Sequence, residues 1–301
     1  MRADLHVHST FSDGTTTPVR NAELAAAAGL EAVALTDHDT TSGWAESATA
    51  CAAYGLEFVP GIELSTELDG RSVHLLGYWV DPAHERLSTE CARLRDARMR
   101  RARRMIERLS ALGIELSMAT VEAYAQGAPI GRPHVAASLV AAGVVPDAQA
   151  AFDRYLGEDG PAYVVKHAAD PVDGVGLLVA AGGAAVLAHP GSTWGEHPRG
   201  LSGTVGSVSD ARRDRGLDLL DRLAAAGLAG VEVEHPAHDL ATTLRWRRAA
   251  ARRGLLVTGA SDFHGEGRDV KIGERTTSTW VLAALRERAA DGASARGGAG
   301  W

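Results

Sequence analysis

Two histidines one residue apart, His6 and His8, are the first residues in the chain able to do chemistry. Residues 3–8 read as a short strand, and side chains two apart on a strand point to the same side. Both imidazoles therefore share one face, with Leu5 and Val7 on the other, and the polar turn 9–14 carries Asp13 just past the strand end. Two imidazoles with a carboxylate beside them make a start on a divalent-metal site. A pair of surface histidines beside a loop aspartate is the plainer alternative.

Repetition decides between the two. Of seven apolar runs, six end in a strong ligand type: the His6/His8 pair, then His38, Glu63, His74, His189 and the Asp262/His264 pair. The remaining run ends in Glu234 and His235, which could also ligate. One histidine on an apolar strand is usually a satisfied core or surface residue; the same residue types at one strand end after another make a site. With Asp13 there are nine candidates, more than one ion needs, so two or three divalent ions are implied. Mixed imidazole and carboxylate donors suit zinc, manganese or iron(II) better than calcium. Such clusters activate water and clamp the oxygens of a phosphoryl centre. No glycine-rich loop ending in Lys-Ser/Thr is present, which excludes nucleotide-triphosphate chemistry of that type.

The elements that must position these residues alternate. Strands are expected over 3–8, 32–38, 57–63, 71–80, 183–189, 229–236 and 255–264, with helices over 18–28, 43–54, 217–226 and 239–252. Continuous apolar strands separated by helices indicate a parallel sheet or barrel. In a parallel barrel every strand end meets at one face, so residues far apart in sequence converge. From about 82 to 169 no strong strand appears. A long helix over 93–112 places Leu94, Ala102, Met105, Leu109 and Leu112 on one face, and eight arginines lie between Arg93 and Arg108. Those arginines read as a solvated face; a ramp guiding phosphates is the alternative. The division expected is a barrel over 1–81 and 170–285, a helical insertion over 82–169, and a disordered glycine-rich tail over 286–301.

At 301 residues and 45% hydrophobic, the chain is long enough to bury the core of one large domain with an inserted subdomain. The net charge of -7 argues against a general nucleic-acid coat. Two isolated cysteines, Cys51 and Cys91, are no disulfide framework and fit a reducing compartment. No leader precedes the first strand and no apolar run is long enough for a bilayer. A soluble, cytoplasmic protein with no membrane contact and no obligate protein partner is expected.

The ordered set His-x-His, Ser-Asp-Gly, Thr-Asp-His, Gly-Ile-Glu, Val-His-Leu-Leu-Gly-Tyr, Ala-His-Pro and Ser-Asp-Phe-His resembles the PHP (polymerase and histidinol phosphatase) family, and covers the chain to about residue 285. The resemblance implies a distorted seven-stranded α/β barrel with a trinuclear metal site. Its nine ligands would be His6, His8, Asp13, His38, Glu63, His74, His189, Asp262 and His264, with Glu63 bridging. Asp262 and His264 would then stand at the reacting centre, and Asp37 and Asp39 would orient His38.

Gly-Arg-Pro-His at 131–134, within the insertion, resembles a subgroup acting on nucleoside 3′,5′-bisphosphates, some members of which also trim short RNA from the 5′ end. That implies that Arg132 and His134 contact substrate phosphate; a solvated arginine and a capping histidine are the alternatives. Lys166, His235 and His238 are weaker candidates. The leaving-group acid stays open between a metal ion and His134. The function implied is hydrolysis of a nucleotide phosphomonoester, with a nucleotide or short oligonucleotide as the binding partner. The alternatives are a histidinol-phosphate phosphatase and a metal-dependent nucleotide sensor without turnover.

Overall fold

The computed structural model describes residues 2–125, 130–157, 159–165, 168–194, 210–266 and 269–297. β1 (Arg2–Asp4) leads to α1 (Pro18–Ala27). Thr17 caps α1 by accepting the Arg20 N–H, and Pro18 is already fixed at a helical φ. β2 (Ala32–Leu35) is buried throughout, and α2 (Trp44–Ala53), β3 (Glu57–Leu68) and β4 (Arg71–Tyr78) follow. Among the described residues only helices occupy 85–156: α3 (Glu85–Ala111), α4 (Met118–Ala125), α5 (Arg132–Ala141), α6 (Ala148–Ala151) and a π-helical turn, Phe152–Leu156. Alternation then returns with α7 (Pro171–Ala180), β5 (Ala184–Leu187), α8 (Pro190–Thr193), α9 (Asp210–Ala225) and β6 (Gly230–Glu234). The chain closes with α10 (Leu240–Ala251), β7 (Leu256–Gly259), β8 (Thr277–Ser278) and α11 (Thr279–Gly297).

One sheet holds all eight strands, in the order β7-β6-β5-β4-β3-β2-β1-β8. Its two ends meet. Beyond β1 and β7, Val7 pairs in parallel with Phe263, and the His8 N–H donates to the Phe263 carbonyl at 2.8 Å. Thr277 of β8 also exchanges hydrogen bonds with Gly259 of β7. The fold is thus the distorted α/β barrel the sequence implies, nearly closed, with the two-residue β8 added to the seven expected strands.

The expectation of an all-parallel barrel needs correction at β4, which runs antiparallel to both β3 and β5. Asp69 and Gly70 join it to β3, both at positive φ, 51° and 80°. Two such residues make the mirror-image turn that matches strand twist, and Asp-Gly is its sequence signal. A reversed strand offers its beginning, not its end, to the face where its neighbours finish. His74 therefore lies early in β4, opposite Ser65, and Glu63 lies within β3 rather than at its end.

Small side chains such as Ala3, Ala34 and Ala184 pack around Tyr78, whose hydroxyl donates to the Leu5 carbonyl at 2.8 Å. α11 adds Leu282, Leu285 and Ala289 to that cluster. The disordered tail expected from 286 is corrected as far as Gly297: α11 continues through it, anchored by buried Ala289, and its alanines favour helix. The all-helical segment has a core of its own, built on Met105, Leu109, Val121, Val135, Leu139 and Leu156. The first half of α3 belongs elsewhere, since Leu87, Cys91 and Leu94 join the core under α7, α9 and α10. α3 therefore ties the helical segment to the barrel. Cys51 and Cys91 are both free and buried. Among the described residues no helix is long and apolar enough to cross a membrane.

Candidate metal centre

All nine candidate ligands come together at the barrel mouth. Their ligand atoms fall into overlapping groups whose members lie within 4.8 Å of one another: His8, Asp13, His38 and His264; His6, Glu63 and His189; His6, His8 and Asp262; His38, Glu63 and His74. Glu63, only 1% exposed, is the hub. Its Oε1 lies 2.7 Å from His74 Nδ1 and 3.1 Å from His189 Nε2. Its Oε2 lies 2.9 Å from His38 Nδ1 and 3.2 Å from His8 Nε2. A carboxylate with each oxygen facing its own set of imidazoles has the geometry of a bridge between two ions.

Two observations test whether cations fit. His6 Nε2 and His8 Nε2 face each other at 3.1 Å, both fully buried. Two unprotonated ring nitrogens at that distance set lone pair against lone pair, and a cation between them relieves it. Asp13 Oδ1 and Asp262 Oδ1 are buried without a hydrogen-bond partner, a state that folded proteins rarely leave unexplained. The mixed nitrogen and oxygen donors fit first-row divalent ions.

Burial disfavours charge throughout the cluster, yet mutual attraction outweighs it. Against that burial, hydrogen bonds to Asp262 and Glu63 push the His8 imidazole up to about 10. His38, His74 and His6 hold the buried Glu63 well below the usual carboxylate range, and His6 and His264 do the same for Asp262. An imidazole must be neutral to ligate, so ion binding here displaces protons.

The backbone is bent to serve the cluster. His189 (φ 24°) and Asp262 (φ 54°) adopt left-handed conformations that are costly for residues with side chains. At Gly14 a Cβ would stand 2.8 Å from the backbone of His8 and Ser9, so the turn carrying Asp13 folds back only with glycine there.

Several supporting residues escaped the sequence reading. Glu232, fully buried on β6, faces His6 Nδ1 at 3.1 Å through Oε1 and accepts the His189 N–H at 2.9 Å through Oε2. One carboxylate thus aims one ligand's ring and holds the strained backbone of another. Its signal was a charge between Val231 and Val233 on an otherwise apolar strand. Asp4 accepts the N–H groups of Ser261 (3.0 Å) and Gly273 (2.7 Å), tying β1 to the loop that carries Asp262; burial raises its carboxyl to about 6.

Asp37 is corrected: it binds the Ser9 N–H (2.8 Å), the Ser9 hydroxyl (2.7 Å) and the Ser12 hydroxyl (2.5 Å), locking the turn before Asp13 instead of the His38 ring. Asp39 accepts Arg98 Nε at 2.9 Å and the Ser65 N–H at 2.8 Å, joining the mouth to α3.

His235 stands beside the cluster. Its Nδ1 accepts the Ala237 N–H at 3.1 Å, so the proton sits on Nε2, which donates to Asp262 Oδ2 at 3.3 Å. His238, expected near substrate, is corrected: its Nδ1 donates to the Val233 carbonyl at 2.8 Å and its Nε2 accepts the Gly191 N–H at 3.0 Å. Both nitrogens are taken by backbone, so it staples α8 to the end of β6. Burial, then His235, lowers its imidazole to about 4.

At the start of α5, the Gly131 N–H donates to His134 Nδ1 at 3.0 Å, which caps the helix and leaves the His134 proton on Nε2. The Arg132 guanidinium lies 5.6 Å from the Phe152 ring centre and 5.8 Å from that of Tyr163. A Cβ on Gly131 would be 4.0 Å from Asp13 Oδ2, which sets the start of α5 against the cluster. Lys166 lies outside the described residues.

Residues 4–94 match the PHP domain. The chain is similar to the 3′,5′-nucleoside bisphosphate phosphatase of Chromobacterium violaceum, 38% identical over 275 residues, spanning 89% of this chain and 90% of that protein. It is also similar to a 5′-3′ exoribonuclease of Haemophilus influenzae, 36% identical over 187 residues, spanning 62% of this chain and 68% of that one. A solved structure from Bifidobacterium adolescentis, assigned as a metal-dependent phosphoesterase, superposes with a TM-score of 0.83 at 36% identity, over 95% of this chain and 96% of that chain.

Proposed function

The chain belongs to the PHP family and is a metal-dependent phosphoesterase, and on that premise we propose that it hydrolyses nucleoside 3′,5′-bisphosphates, consuming water to give a nucleoside 5′-phosphate and inorganic phosphate. The observation that carries the reading is the start of α5, a capped helix with Arg132 and His134 at its head, set against Asp13 of the nine-residue cluster. Similarity to an exoribonuclease supports extending it to the 5′ end of short RNA.

His6, His8, Asp13, His38, Glu63, His74, His189, Asp262 and His264 would hold two or three ions of manganese, zinc or iron(II). When bound, such ions activate water and draw charge from the phosphoryl oxygens. Glu63 keeps two sides of the site in register through its two oxygens. Glu232 and His235 fix the rings and carboxylate that face the substrate, so the reacting groups need not reorganise. Arg132 suits a second phosphate because a planar guanidinium pairs with two oxygens at once, and the N–H groups at the head of α5 favour the same charge. His134, with its proton on Nε2, would donate to the phosphate or to the departing ribose oxygen.

The test is product release after reconstitution with each metal: inorganic phosphate from adenosine 3′,5′-bisphosphate, histidinol phosphate and an aryl phosphate, and nucleoside 5′-phosphate from a 5′-phosphorylated trinucleotide. The bisphosphate should have the highest kcat/KM. A preference for histidinol phosphate, or nucleotide binding without any turnover, would overturn the reading.

A further inference from the structure

Between α3 and residues 164–165 lies a cavity of about 140 Å³ that none of the nine ligands lines. Arg93, Arg98, Arg100, Arg101 and Arg104 surround it, and among the described residues no carboxylate lines it. Leu94, Ala97 and Val164 give it an apolar floor. Arg93 pairs with Glu90 and Arg98 with Asp39, but Arg100 and Arg104 have no ion pair among the described residues. Arg101 is the most strained of them: burial first, then Arg132 from outside the recess, bring its guanidinium down to about 10. This is more than a solvated helix face. It is a small, positively charged recess with an apolar floor.

Arg98 connects the recess to the metal cluster. Its Nε donates to Asp39 at 2.9 Å and its Nη2 to the Ser65 hydroxyl at 2.8 Å. A Cβ on Gly131 would stand 3.7 Å from Arg98 Nη1 and 4.0 Å from Asp13 Oδ2, so this guanidinium of the recess faces the same glycine as a member of the cluster. Size then limits the occupant. Sites for a whole drug-sized ligand start at about 300 Å³, so this one takes part of a ligand whose remainder lies outside. An apolar floor flanked by planar guanidinium groups suits a base, which stacks on both. Unpaired arginines at the rim suit phosphate oxygens.

We propose that this cavity is a subsite for the base of the nucleotide next to the reacting one in a single strand, with Arg100 and Arg104 holding the intervening phosphodiester. The inference rests on the nucleotide reading above and assigns that reading a second unit of substrate.

The experiment is fluorescence anisotropy of the metal-loaded protein with a labelled pentaribonucleotide whose phosphorothioate linkages resist cleavage, over a salt series. Arg100→Ser/Arg104→Ser should weaken binding at least tenfold and reduce the slope of log K against log salt by about 0.7, the value for one single-strand phosphate contact. Ala97→Phe fills the floor and leaves every charge in place. It should weaken binding about as much, with the slope unchanged. It also decides the matter alone if the double variant does not fold. The proposal is overturned if Ala97→Phe binds like the parent, or if inorganic polyphosphate of equal charge displaces the strand as well as unlabelled RNA does. Either outcome makes the recess a charge patch. Phosphate release from the bisphosphate is followed on the same parent sample, and its absence counts against the proposed function without touching the binding result.

Discussion

The barrel mouth and the helical segment beside it treat buried charge in opposite ways. At the mouth, six imidazoles and three carboxylates lie within a few ångströms, and each lowers the cost of the other's burial. In the helical segment, Arg101 and Arg132 share the Tyr163 ring, and burial together with Arg132 makes the Arg101 charge harder to keep. The mouth gathers donors that suit cations, whereas the helical segment gathers guanidinium groups that would suit an anion. Rigid strands can hold ligands to the tolerance that metal coordination needs. Long side chains on helices adapt to a phosphate whose position varies with the substrate.

The largest break in that comparison should come from Glu63→Gln. The change keeps size and burial but removes the charge that both sides of the site share. Turnover should fall at least a hundredfold, roughly 2.7 kcal/mol of barrier, with loss of bound metal. Full activity at unchanged metal content would end the bridging role.

Glu232→Gln tests the same region one layer out. The amide can still accept the His189 N–H but no longer offers His6 Nδ1 a carboxylate. Metal affinity should drop about ten- to a hundredfold. Titration with a competing chelator reads this directly, and unchanged affinity would make Glu232 a packing residue.

Arg132→Ala probes the other side. Metal content should be untouched, because the Arg132 guanidinium lies over the Phe152 and Tyr163 rings and reaches the Leu156 carbonyl, within the helical segment. Losing a charge-assisted contact costs on the order of 1.5–3 kcal/mol, and the aromatic rings that already hold this guanidinium place the effect near the lower end, about tenfold in kcat/KM on the bisphosphate. An aryl phosphate, lacking the second phosphate, should be hydrolysed as before. An equal fall on both substrates would move Arg132 to the reacting phosphate or to the fold.

The smallest effect on turnover concerns His238, whose role lies in the stability of the barrel's frame. Its imidazole is lowered from 6.5 to about 4 in the folded protein. Between those values only the unfolded chain takes the proton, so its contribution is full above pH 6.5 and lost as pH falls through 4. At pH 5 the loss is about 2 kcal/mol. Urea unfolding at pH 7 and pH 5 should show a change in stability that is smaller in His238→Asn than in the parent by about that amount. Equal pH dependence in both would deny His238 the staple role.

Legibility in the sequence followed the same division. The mouth could be read because each ligand sits at a fixed place in a strand–helix repeat, where a polar residue after an apolar run is conspicuous. His38 after 32–35 and His189 after 184–187 are of this kind. The reversal of β4 was also written, in Asp69-Gly70, but a strand pattern carries no direction, and the expectation of parallel strands passed over the turn. His238 looked like His235 on the page, two imidazoles in one loop. Only one of them keeps a nitrogen turned towards the cluster.

What the sequence determined by itself was therefore the barrel, the nine residues at its mouth and the helices inserted beside them. Periodicity tells which face of its own element a side chain takes, and that sufficed where every strand contributes to one mouth. The tertiary structure alone decided that Glu232 supports two ligands at once, that Asp37 serves a turn, and that five arginines of α3 enclose a recess. Each of these depends on which atoms of another element lie within hydrogen-bonding or Coulombic reach. That distance is set by packing between elements, and no spacing along one chain segment records it.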